Sequence, residues 1–174
     1  GRQSLPEAQQ KNLFQDGLTV RNLRFRYAKD RPWVLQDINF RLKPGQTLGV
    51  LGRIGSGKST LVNCINRYLF TEDGQIRLNN LDINRLTYQD LRHSIRTVTQ
   101  EPFLFSDTVE NNIAFAIEDR SEGWQEHFPS LLQQAALREE VDKFPLQEQT
   151  IVGEKGILLS GGQKQRISLA RAMA

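Results

Sequence analysis

Nine consecutive residues, Gly52-Arg53-Ile54-Gly55-Ser56-Gly57-Lys58-Ser59-Thr60, carry the chemistry most legible in this chain. They fit the phosphate-binding pattern G-x-x-x-x-G-K-S/T. Glycines at positions 52, 55 and 57 let the backbone turn tightly, so that several N–H groups and the positive end of a following helix face an anion. Lys58 adds a full positive charge able to reach the outer phosphates of a triphosphate. The Ser59 hydroxyl is a hard oxygen ligand suited to Mg²⁺, and Thr60 completes the loop.

Such a loop needs a strand before it and a helix after it. Gln46-Thr47-Leu48-Gly49-Val50-Leu51 predicts a buried strand, and Leu61, Val62, Ile65, Tyr68 and Leu69 recur at helical spacing. Upstream, Leu18 and Val20, then Leu23, Phe25 and Tyr27, alternate in two phases. Ile38, Phe40 and Leu42 continue with period two after the turn at Asp30-Arg31-Pro32, as antiparallel strands do. Ile76 and Leu78 predict a short strand ended by Asn79-Asn80. Thr97-Val98-Thr99 predicts another, stopping at Gln100-Glu101-Pro102. Trp124, Phe128, Leu131, Leu132 and Ala135 share a helical face, Leu137 to Val141 start a second helix, and Ile151 to Gly156 read as loop. A last helix begins at Ser160, a natural N-cap.

Composition bounds the function. At 174 residues the chain can bury the core of one α/β domain. Its net charge of +3 is mild. Arg21, Arg24 and Arg26 interleave with Leu23, Phe25 and Tyr27 as the solvated face of a strand does, so no nucleic-acid partner is expected. The single cysteine, Cys64, excludes an internal disulfide and is expected to be a small buried hydrophobe. No apolar run reaches membrane-spanning length. Residues 1–16 are polar and Gln-rich, and read as a linker or arm.

Leu159-Ser160-Gly161-Gly162-Gln163 stands about 100 residues after the P-loop, followed by Lys164-Gln165-Arg166. It is a second candidate anion site, with a hydroxyl, two glycines and a helix N-terminus behind them. With both motifs in place, the chain resembles the nucleotide-binding domain of ATP-binding cassette (ABC) transporters of the exporter type. The likeness to bacterial heterodimeric multidrug exporters is particular. LSGGQ falls at residues 159 to 163, and the resemblance runs from about Leu18 to Ala174.

The resemblance implies an α/β fold. A P-loop NTPase core would carry an antiparallel β subdomain (about 17–100) and a helical, signature-bearing subdomain (about 103–174). The arm would lead from a preceding membrane domain. ATP and Mg²⁺ are the implied ligands. Tyr27 matches the aromatic that stacks on adenine. Gly52, Gly55, Ser56, Gly57, Lys58, Ser59 and Thr60 match the nucleotide loop, with Ser59 and Gln100 toward the metal and Gln100 and Lys58 as the catalytic residues present. Ser160, Gly161, Gly162 and Gln163 would meet the nucleotide of a second nucleotide-binding domain, in a head-to-tail dimer coupled to export. Coupling helices of a transmembrane domain would dock on Phe103 to Ile113 and on the X-loop-like run Thr150 to Gly156. The domain would sit on the cytoplasmic face of a bacterial inner membrane.

Two departures matter. No Walker B motif, four apolar residues then Asp and a general-base Glu, is found before Ala174, and His93 and His127 are no substitutes for the family's switch histidine. The chain taken alone is therefore expected to be a partial domain, its core cut short, that hydrolyses almost nothing. Ile151 also stands where exporters often carry an acidic residue. A hydrolysis-incompetent regulatory half of a heterodimer is thus an alternative. A DNA-maintenance ATPase is another, though no sustained heptads separate the two motifs.

Overall fold

The computed structural model describes residues 15–115, 117, 120 and 123–174. The arm expected over residues 1–16 lies outside them, apart from its last two residues. The chain forms two compact units that divide between Arg96 and Thr97.

The first unit is built on a four-stranded antiparallel sheet. Strands β1 (Leu18–Phe25), β2 (Leu35–Leu42), β3 (Ile76–Leu78) and β4 (Leu81–Asp82) are ordered β2-β1-β3-β4. The phase change visible in the sequence of β1 has a local cause. Leu18 pairs with Leu42 and Val20 with Phe40, but Leu23 pairs with Ile38, so an irregularity falls at Arg21 and Asn22. Asn22 takes φ 47°, and the slip returns Leu23 to the face already occupied by Leu18 and Val20. That face is covered by helix α1 (Lys58–Ile65) through Leu61 and Cys64, and by Ile83, Leu86 and Leu91. Helix α2 (Tyr88–Ser94) starts at Thr87, whose hydroxyl accepts the N–H of Asp90 at 3.1 Å.

The strand expected over residues 46–51 is absent. The segment is without regular structure and exposed, with Leu51 97% accessible. Thr97 to Thr99 likewise form no strand. Among the described residues neither run has a paired neighbour, and extended backbone becomes a strand only when another strand satisfies its N–H and C=O groups. The helix after the P-loop is also shorter than the apolar spacing suggested. It ends at Ile65, and Tyr68 is exposed beyond it.

The second unit is mainly helical. Its elements are β5 (Asp107–Thr108), α3 (Val109–Ile113), α4 (Trp124–Gln134), α5 (Arg138–Val141), β6 (Ile151–Val152) and α6 (Gly161–Met173). Trp124, Phe128, Leu131 and Leu132 lie buried on one face of α4 as their spacing predicts, and Leu137 and Val141 join them. Ile167 and Ala170 bring α6 into the same core. The run 151–156 is not wholly loop. Ile151 and Val152 pair antiparallel with Thr108 and Asp107.

Candidate functional site

The P-loop is assembled by local backbone geometry. Gly55 and Gly57 adopt φ 82° and 90°, a left-handed conformation that side chains strain to reach. A Cβ on Gly52 would stand 2.5 Å from Ser56 Oγ and displace that side chain, and one on Gly57 would press on Leu35 at 3.0 Å and Val34 O at 3.1 Å. Ser56 N–H donates to Arg53 O at 3.2 Å, closing the turn. The ammonium of Lys58 folds back over the loop and donates to Gly52 O at 2.8 Å and Arg53 O at 2.9 Å. A single charge is thereby held beside the glycine backbone.

Helix α1 begins at Gly57 with no side-chain cap and no acidic residue in its first turn. Its opening N–H groups and its dipole thus meet no side-chain cap and no carboxylate of the helix, a combination that favours an incoming anion. Ser59 is exposed on that first turn, while Thr60 is buried. Tyr27 lies beyond the end of β1 and is 62% exposed as a residue, and its hydroxyl is 3.1 Å from Thr60 Oγ1. The aromatic and the P-loop helix, far apart in sequence, are thus joined in the first unit. Below them Cys64 is fully buried, and burial pushes its thiol pKa up to about 11.

In the second unit Gln100 is exposed at a bend rather than at a strand end. Its neighbour Thr99 accepts a hydrogen bond through its carbonyl from Gln165 Nε2 at 3.1 Å. Ser160 caps α6 as its sequence predicts. Its hydroxyl accepts the N–H of Gln163 at 3.2 Å, and Gln163 Oε1 accepts the N–H of Ser160 at 2.8 Å. In this capping box each of the two polar side chains of the signature run accepts the backbone N–H of the other residue. Gly161 faces open space.

The two segments expected to meet membrane-domain helices form one surface through the β5–β6 pairing. Val109 N–H donates to Thr150 O at 3.1 Å, and a Cβ on Gly153 would approach Phe105 O to 2.8 Å. Phe103 and Phe115 are 66% and 60% exposed, each packed against Phe105 at 5.1 and 4.4 Å between ring centroids. Asp107 at the edge of this surface has its carboxyl pKa lowered, first by the Asn111 side-chain amide and then by the Thr108 N–H.

One organising residue escaped sequence reasoning. Arg171 of α6 donates to Asn112 O at 2.7 Å, to Asn112 Oδ1 at 3.0 Å and to Phe103 O at 3.0 Å. Its guanidinium also lies 5.7 and 6.0 Å from the Phe105 and Phe115 ring centroids. Burial lowers its pKa from the ordinary arginine value. An arginine between two alanines, one turn after the buried-type Ile167, was the available signal.

A family model for ABC transporters matches residues 35–174. The chain belongs to the ABC transporter family. Among its relatives, this ABC chain is 42% identical over 156 residues to the multidrug resistance-like ATP-binding protein MdlA of Escherichia coli, covering 90% of the chain and 26% of that protein. It is 43% identical over 156 residues to the ATP-dependent lipid A-core flippase of Pseudomonas aeruginosa, again over 90% of the chain and 26% of that protein. A solved bacterial Atm1-family ABC exporter with ATP bound shares the fold with a TM-score of 0.83 and 29% identity, over 99% of this chain and 29% of that one. The ABC chain therefore spans about a quarter of the length of the relatives it matches. Its membership implies ATP binding. Among the described residues no helix is long and apolar enough to cross a membrane.

Proposed function

We propose that this chain is the ATP-binding part of a motor domain in an ABC exporter of the multidrug or lipid-transporting kind. The observation that carries the reading is the P-loop itself. A glycine-built turn leads into the uncapped start of α1 with the Lys58 ammonium held against the same loop, an arrangement that suits a triphosphate. Tyr27, exposed and tied to the same helix, supplies a flat ring for the base.

Mg²⁺ fits this site through the exposed Ser59 hydroxyl. Among the described residues no three His, Cys, Asp or Glu side chains cluster to hold a metal, and Mg²⁺ commonly takes its remaining ligands from phosphate oxygens and water. When bound, the ion would neutralise charge on the outer phosphates. Lys58 would hold those phosphates from the loop side, and Gln100 would orient the attacking water. Ser160 and the following glycines would complete the site of a second nucleotide-binding domain, with Phe103 to Ile113 and Thr150 to Gly156 turned to coupling helices on the cytoplasmic side of the membrane.

In this arrangement the signature serves a nucleotide that its own P-loop does not hold. Ser160→Arg in the full-length natural polypeptide should lower the kcat of ATP turnover at least about tenfold, since it places bulk and charge in the partner's site. The affinity for ATP at its own P-loop should stay within about twofold, inside the usual scatter of distant substitutions. Equal loss of kcat and of that affinity would refute the shared-site arrangement.

A further inference from the structure

Thr60 makes a contact that phosphate binding leaves unexplained. Its hydroxyl, buried in the first turn of α1, lies 3.1 Å from the hydroxyl of Tyr27, whose ring is largely in solvent. The same ring meets Phe25 edge to face, with centroids 5.1 Å apart and planes at 88°. An exposed aromatic ring fills no core, and fixing it costs rotamer entropy. Here one hydrogen bond and one ring edge fix it nonetheless. The bond ends on the residue next to Ser59, in the turn of helix that the P-loop feeds.

We propose that Thr60 is the positioning residue of a nucleobase platform, its hydroxyl locking the Tyr27 ring to the phosphate-binding helix so that base stacking and triphosphate binding act as one event. The inference rests on the reading of Gly52 to Thr60 as a nucleotide loop. Locked this way, the ring offers a π-face to any base, with its hydroxyl directed at Thr60 rather than at a base edge. The ligand class is therefore a nucleoside triphosphate selected for having a base, with little regard to which. Without the bond, the ring would have to be ordered anew each time a base stacked on it.

The test is a double-substitution cycle in the full-length natural polypeptide. Dissociation constants are measured for Mg·ATP, Mg·GTP and inorganic tripolyphosphate with the wild type, Tyr27→Phe, Thr60→Val, the double variant and Thr60→Ser. Each single variant that loses the bond should weaken ATP and GTP binding about fivefold, the size expected for one net hydrogen bond. The double variant should be no weaker than the poorer single one, because the same bond is lost once. Thr60→Ser should restore nearly wild-type affinity, and tripolyphosphate, having no base, should be indifferent to Tyr27→Phe. Losses that multiply in the double variant, or an equal loss for tripolyphosphate on Tyr27→Phe, would overturn the proposal. Lys58→Ala separates the two levels. Unchanged ATP affinity there removes the nucleotide loop and the platform together, whereas lost affinity there with multiplying Tyr27 and Thr60 effects removes the platform alone.

Discussion

Cys64 shows how much of a residue's chemistry is set by what covers it. It sits on α1, two turns from the P-loop lysine, fully buried against β1 and β3. Its thiol pKa is raised to about 11 by desolvation, which disfavours the thiolate. In the unfolded chain a cysteine ionises near pH 8.5. The folded state binds the proton more tightly, so the contribution to stability is fully present below the unfolded pKa and is lost as pH rises through about 9 to 11. Urea midpoints should therefore fall over that alkaline range, and Cys64 should react with a thiol reagent at pH 8 only as fast as the protein opens. Rapid labelling of the native protein would contradict this burial. The sequence showed the residue type and its helical face. Closure by β1 and β3 depends on pairing between strands more than fifty residues apart, which no local pattern contains.

At the scale of elements, what could be read in advance was what a local rule governs. The Ser160 cap, the apolar face of α4, the Asn79-Asn80 turn and the phase change in β1 all rest on near neighbours, and all appear in the fold. The strands expected at 46–51 and 97–99 depend on distant partners. Their apolar alternation is a property of sequence, but a ladder is a property of two segments, and among the described residues the second one is missing. Amide exchange should resolve the distinction in the 174-residue chain. The N–H groups of Leu48 to Leu51 should exchange close to unprotected rates, while those of Leu18 to Val20 and Ile76 to Leu78 should be protected by their ladder. Comparable protection in both sets would mean that the first run is paired after all. In the second unit the β5–β6 pairing was equally illegible, since a two-residue strand has no period to detect. Arg171 was missed for a related reason. Its three acceptors lie on Phe103 and Asn112, and only the packing of α6 beside α3 brings them together.

The whole molecule carries two helix starts on glycine-containing runs and treats them differently. Helix α1 opens on glycine with Lys58 above it, whereas α6 opens on a closed capping box. The first start is thereby left without a side-chain cap and the second is closed on itself, the difference that the proposed roles of nucleotide loop and signature require. Both lie within the match to the ABC transporter family, whose relatives at 42–43% identity include a multidrug resistance-like ATP-binding protein and an ATP-dependent lipid A-core flippase. All of this depends on the P-loop gripping a triphosphate through Lys58. Calorimetric titration of the full-length natural polypeptide with Mg·ATP, wild type against Lys58→Ala, tests that dependence directly. Loss of one charge-assisted phosphate contact should weaken binding at least about tenfold. Equal affinity in the two proteins would contradict the account at its centre.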